Sequence, residues 1–292
     1  MSSQGDFFPW KDKVPWLGDP AVRPYLFMRK ENLVSQPAPY LSSWFAGLSP
    51  LFIEALDTRH QAFGDAILFL ENQAFGADLA MPRWVFYDCA VVPGMVCGFA
   101  IHRERIPSGW QSRLIGNMAK LEWVPISLFI TIPTVFPGEW VAHNLCTVNS
   151  LLPSHEQFYA LGFLTKAYGL WYGNVKKVMG MTQWHKPALK LHSHYGYLKV
   201  LTAYTPLHTH AQTMTYGCEI DPLVWEAFFH RREDQNFQTR FKKTSHTLNP
   251  LSENDMRRVQ ALIEQGGEFY LSPHQIAHKK IEEPYELYTP LS

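Results

Sequence analysis

An α/β fold built around a mixed sheet is what this sequence predicts, and three observations predict it. Between residues 50 and 221, β-rich runs alternate with stretches of helical periodicity. Some β runs are joined through turn pairs, Pro93-Gly94 and Pro137-Gly138, as antiparallel hairpins require. Others are separated by a whole helical segment, as crossovers within a sheet require. Three parts are expected: an extended arm over 1–49, a domain over 50–221 and an extension over 222–292.

Taken in order, the arm is rich in Pro and Trp ("FFPWKDKVPWLGDP") and reads as extended chain lying on the body. "LFIEALDTRHQAFGDAILFLENQAF", from Leu51, repeats apolar residues at three and four and reads as helical. "RWVFYDCAVVPGMVCGFAIHRE", from Arg83, reads as a hairpin, with β-rich runs on both sides of Pro93-Gly94. "SLFITIPTVFPGEWVAHNLCTVNSLL" is β-rich again around Pro137-Gly138. Phe158, Leu161, Leu164, Tyr168 and Trp171 step by three or four, an amphipathic helix ended by Gly173-Asn174.

"VKKVMGMTQW" is a short strand. "KPALKLHSHYG" is a second helix, with Pro187 in its first turn and Gly196 as its stop. "YLKVLTAYTPL" and "AQTMTYGCEI" are two further strands. Past residue 222 the chain turns polar, and "SENDMRRVQALIEQGG" reads as a late helix.

Composition narrows the function classes. In 292 residues, 26 basic side chains balance 26 acidic ones and no basic run stands out, so nothing attracts nucleic acid or an anionic membrane. Aromatics make up 14%, with ten tryptophans, which suits a large apolar pocket and an aromatic core equally. Four cysteines, Cys89, Cys97, Cys146 and Cys218, are irregularly spaced and read as reduced thiols of a cytoplasmic protein. The start lacks a signal peptide's apolar core. The most apolar run, "WVPISLFITIPTVFP", is too short to span a bilayer and carries three prolines.

The stretch "SHEQFYALGFLTKAYGLWYG" carries the chemistry. Its "QFYALG" fits the loop Q/R-x-x-G-x-G/A at Gln157, Ala160 and Gly162. Further on, "PALKLHSHYGYLKV" fits A-x-x-L-Y-x-x-x-G-F at Ala188, Leu191, Gly196 and Tyr197. With the order of elements, these motifs make residues 50–220 resemble the GCN5-related N-acetyltransferase (GNAT) superfamily.

Physical chemistry gives the loop a purpose. The first turn of a helix has backbone N–H groups without intrahelical partners, and its dipole adds partial positive charge. A diphosphate fits there if no side chain blocks it. Small residues at 160 and 162 keep the backbone open, and Gln157 can donate from its side chain. The resemblance implies that this diphosphate belongs to acetyl-CoA or another acyl-CoA. Residues Gln157, Phe158, Tyr159, Ala160, Leu161 and Gly162 would then bind it. Ala160 stands where glycine is commoner, and its methyl narrows the approach.

The resemblance further implies that the fourth and fifth strands diverge, with the thioester between them. N–H groups around Val148, Asn149 and Leu151 would then hold its oxygen. An amine nucleophile needs a base. Glu139 and His143 lie four apart on one strand and share a face, and His143 is the better acceptor because histidine titrates near neutrality. Glu122 is a weaker candidate. The tyrosine that protonates the leaving thiolate in this family falls on His192, with Tyr195 one turn on and able to stand in. His185 takes the place of an asparagine.

The leading expectation is therefore transfer of an acyl group, acetyl or longer, from coenzyme A to an amine of a small molecule. Alternatives are an acyl carrier protein as donor, a non-catalytic CoA-binding domain, or a histidine-metal enzyme built on His208 and His210. No metal is expected in the leading reading, and a homodimer is left open.

Overall fold

The computed structural model describes residues 12–34, 36–76, 79–107, 110, 121–206, 212–229, 236–280 and 282–291. The chain divides into two compact units, with breaks at Gly138/Glu139, Val141/Ala142 and Val175/Lys176. The first unit runs to Gly138 and resumes over Ala142–Val175. The second holds Glu139–Val141 and the chain from Lys176 onward.

In the first unit the elements are β1 (Val22–Met28), α1 (Ser42–Phe45), β2 (Leu51–Glu54), α2 (Gln61–Phe75), α3 (Arg83–Val91), β3 (Met95–His102), β4 (Trp123–Pro125), β5 (Ser127–Pro133), most of β6 (Glu139–Thr147) and α4 (Leu161–Tyr172). Their sheet runs β2-β1-β3-β5-β6, with β4 also paired to β3. β1 lies parallel to β2 and antiparallel to β3, with Tyr25 opposite both Leu51 and Gly98. β3 is antiparallel to β5, Cys97 facing Phe129. Helix α4 is buried over eleven of its residues. It docks through Gly169, where an added Cβ would stand 2.6 Å from the Phe129 ring and 2.8 Å from Cys97 Sγ.

In the second unit β7 (Lys177–Gln183), α5 (Pro187–His192), β8 (Leu198–Thr202), β9 (Thr213–Glu219), α6 (Pro222–Phe229), α7 (Phe237–Arg240), β10 (Phe241–Leu248), α8 (Glu253–Glu264), β11 (Phe269–Leu271), α9 (Pro273–His278) and β12 (Tyr285–Pro290) follow one another. From β7 the strands run β7-β9-β8-β11-β12-β10. Helix α8 begins at Ser252, whose side chain accepts from Asp255 N–H at 3.2 Å, an N-cap.

The mixed α/β architecture agrees with the expected fold class, but three local expectations are corrected. Residues 22–28 are not an extended arm: β1 is an interior strand, buried at six of seven positions. Pro24, opposite Phe99 within it, is the kind of residue that argues against a central strand. Residues 51–54 are a strand rather than the start of a helix, and the helix begins at Gln61.

Arg83–Val91 is a helix, not the first arm of a hairpin. Its β-branched and aromatic residues favour strand locally, but Phe86, Cys89 and Ala90 are its buried residues, and that spacing of three and four turns one face to the core. The extension adds strands to a sheet: β11 pairs with β8, Phe269 opposite Val200. Tyr197, Val224 and Phe237 form a buried cluster there, with Phe241, Tyr270 and Tyr288 packed on it.

Candidate functional site

Strand β6 ends at Thr147, and Val148–Leu151 form a 3-10 turn rather than more strand. Val148 N–H is occupied by Ile126 O at 2.8 Å. It is therefore not a free donor for a thioester oxygen, which corrects the role expected of it. Asn149 clamps the following loop instead. Its Oδ1 accepts from Phe158 N–H at 2.9 Å and its Nδ2 donates to Phe158 O at 2.8 Å. Leu151 lies in the same turn.

Gln157 turns its amide inward and donates to Asn149 O at 2.9 Å and Leu152 O at 3.2 Å. The side chain expected to reach a diphosphate shapes the loop. Trp16 supports the loop from the N-terminal segment, its indole N–H donating to Tyr159 O at 2.9 Å. The Trp16 and Trp110 rings both meet Phe158 edge-on. Trp110 Nε1 donates to Glu156 Oε2 at 2.7 Å.

Helix α4 starts at Leu161, three residues later than the periodicity suggests, and no side chain caps it. Its N-cap, Ala160, has φ 59° and ψ 16°, the left-handed region. Glycine adopts this conformation without strain, whereas the Ala160 methyl does not. Gly162 follows inside the first turn. Tyr159 is exposed, so the loop offers an aromatic edge beside the uncapped helix end.

On β6, His143 is exposed and its Nδ1 lies 3.0 Å from Asn144 Oδ1. Asn144 Nδ2 donates to Glu71 Oε1 at 2.7 Å. Glu71, on α2, is wholly buried and accepts Met81 N–H at 3.1 Å on each oxygen. Burial pushes the Glu71 carboxyl up, opposed by its N–H donors and by nearby His143. Burial likewise pushes up the Cys146 thiol, with Glu71 adding to it.

Glu71 and Asn144 escape a motif-led reading. The available signal is that Glu71 falls on the same helical stripe as Phe63, Ile67 and Leu70, where an apolar residue belongs.

Of the remaining predicted residues, all but Glu122 belong to the second unit. Glu139 is paired with Lys177 Nζ at 2.6 Å, which engages it as an ion-pair partner. His192, at the end of α5, is buried and stacks on Tyr216 with ring centroids 4.7 Å apart. Tyr195 is buried against Trp225 at 5.7 Å. His185 lines a cleft of about 200 Å³ with Trp184, Lys186, Lys190, Lys279 and Tyr285. Glu122, in the first unit, stands 3.7 Å from His102.

Within the first unit the structure thus brings the 148–151 turn and the 157–162 loop together through Asn149. Among the described residues no group of three His, Cys, Asp or Glu side chains could hold a metal ion. His208 and His210 lie outside the described residues. No described helix is long and apolar enough to cross a membrane.

No family model and no curated protein matches this sequence. Among solved structures it is similar to the NatC complex bound to Gag peptide and CoA, at 10% identity and a TM-score of 0.37, over 57% of this chain and 96% of that one. It is also similar to aminoglycoside 6'-acetyltransferase type Ii (11%, 0.39, 57% and 96%). A third is the ribosomal-protein-S18-alanine N-acetyltransferase from Escherichia coli (12%, 0.36, 57% and 91%). Likenesses this low in identity and score carry no weight of their own, and the functional reading rests on the residues.

Proposed function

We propose that this chain is a GNAT-type acyltransferase that moves an acetyl or longer acyl group from a coenzyme A thioester to an amine of a small molecule. The observation that carries the reading is the start of α4. It is an uncapped helix end with small residues at 160 and 162, entered through a loop clamped from behind by Asn149, Gln157 and Trp16. Backbone N–H groups without intrahelical partners and the helix dipole make such an end suited to a diphosphate. A clamped loop spends little entropy on binding it.

His143 supplies the second requirement. The amine nitrogen must lose a proton as it attacks the thioester carbon and the C–S bond breaks, and His143, exposed on β6, is the group that takes it. The leaving thiolate must gain a proton in turn.

A second reading has one observation in its favour. With Val148 N–H spent on Ile126 O, an expected oxyanion donor is lost, as in a domain that binds CoA without catalysis.

Calorimetry with CoA, followed by thiol release from acetyl-CoA with a panel of amines, separates the two. Binding with turnover supports the enzyme, and binding without turnover on any amine supports the second reading. Absence of CoA binding rejects both. His143→Ala should lower turnover about 10²-fold or more with CoA binding unchanged, and unchanged turnover would remove His143 from the mechanism.

A further inference from the structure

Glu71 is a wholly buried carboxyl group on the apolar stripe of α2, a costly placement unless its oxygens are occupied. They are occupied, by Met81 N–H on both oxygens and by Asn144 Nδ2 on Oε1. A carboxylate only accepts, so the Asn144 amide must turn its nitrogen to Glu71 and its oxygen away. That oxygen stands 3.0 Å from His143 Nδ1. A ring nitrogen facing an amide oxygen has to carry the proton.

We propose that Glu71 and Asn144 are positioning residues that hold His143 in its Nδ1–H tautomer, so that Nε2 faces the reaction as a proton acceptor. The inference rests on the reading of His143 as the base and gives that reading its second layer. The amide between the two groups passes no proton, and its work is orientation. The proton leaving the amine stays on Nε2, and the imidazolium so formed has the Glu71 carboxyl one residue away. The same logic of a buried carboxylate fixing an imidazole tautomer operates in hydrolase triads, there through direct contact. Among the described residues, the other titratable side chain beside Glu71 is Cys146, three residues on from His143 along the same strand, whose thiol Glu71 helps to push up. Strand alternation puts it on the face of Asn144, toward Glu71, rather than on the face of the imidazole.

The test reads the tautomer directly. Long-range ¹H–¹⁵N NMR on the labelled full chain, at about pH 8.5 where an ordinary histidine is neutral, should show His143 with Nδ1 protonated and Nε2 bare. In Asn144→Ala the two nitrogens should shift toward the averaged values of an unconstrained ring. Glu71→Ala should do the same, while Glu71→Gln, whose Oε1 still accepts from Asn144, should restore the wild-type pattern. Alongside, kcat should fall about 10–100-fold in Asn144→Ala, with KM for the thioester unchanged.

A wild-type His143 protonated on Nε2, or a tautomer indifferent to Asn144→Ala, overturns the inference whatever the turnover. A fixed Nδ1–H tautomer in a protein whose turnover survives His143→Ala overturns the base reading instead, so the two failures are distinct. Should Asn144→Ala not fold, the Glu71→Ala and Glu71→Gln pair gives the same readout.

Discussion

At Ala160 the backbone turns through φ 59°, a conformation in which an L side chain crowds the following carbonyl at a cost of roughly 1–2 kcal/mol. Part of that cost is recovered because glycine loses more freedom on folding than alanine. Ala160→Gly should therefore raise stability by about 0.5–1 kcal/mol, read as a higher urea midpoint at unchanged slope. A lower midpoint would mean that the methyl makes a contact outweighing the strain.

Glu71 gives the second prediction at this scale. Its folded-state carboxyl is raised above the ordinary value, chiefly by burial. The sign follows: stability is fully present below the ordinary carboxylate range and falls as pH climbs through the raised value. Glu71→Gln removes that loss, so its melting temperature relative to wild type should increase between pH 4 and pH 7. A constant difference across that range would show that the carboxyl ionises equally in both states.

The small residues at 160 and 162 ahead of a helical stripe were legible in the sequence, because spacing alone places them there. What Gln157 donates to was not, since Asn149 O and Leu152 O reach it only once the turn at 148–151 has formed.

Among the elements, α4 shows why local pattern succeeds and α3 why it fails. The stripe of α4 is long and strongly apolar, and its packing partners reward the same helix that its periodicity suggests. In Arg83–Val91 the residue types favour strand, and the helix wins because it alone buries Phe86, Cys89 and Ala90 together.

The seat of α4 on its sheet depends on Gly169. A methyl added there would meet Phe129 and Cys97 Sγ inside 3.0 Å, and overpacking of this kind costs about 1–3 kcal/mol. Gly169→Ala should lower the denaturation midpoint accordingly. It should also weaken CoA binding if the helix start is the binding end. Loss of stability with full CoA affinity would separate the docking of α4 from its N-terminal turn.

For the molecule as a whole, the division of the chain departs from the three-part expectation. β1 belongs to the interior of the first unit's sheet, so residues 22–28 cannot be removed as an arm. The segment after 222 completes the second unit, because β11, β12 and β10 extend the sheet beyond β8. Phe237 anchors that segment in the aromatic cluster with Tyr197 and Val224. Phe237→Ala should cost about 3–5 kcal/mol, seen as loss of hydrogen-exchange protection in β8, β11 and β12. Unaltered protection in β8 would mean that the later strands are not needed to hold it.

The sequence by itself determined the mixed α/β class, the helix at Leu161–Tyr172 with its small-residue entry, and the strands at Lys177–Gln183, Leu198–Thr202 and Thr213–Glu219, since each is written in spacing between near neighbours. Only the tertiary structure decided that Val22–Met28 is interior, that Arg83–Val91 is helical, and that Glu71, Asn144 and His143 meet. Those outcomes depend on burial and hydrogen-bond partners up to about a hundred residues away. Such partners leave no periodic trace in the chain that they fold.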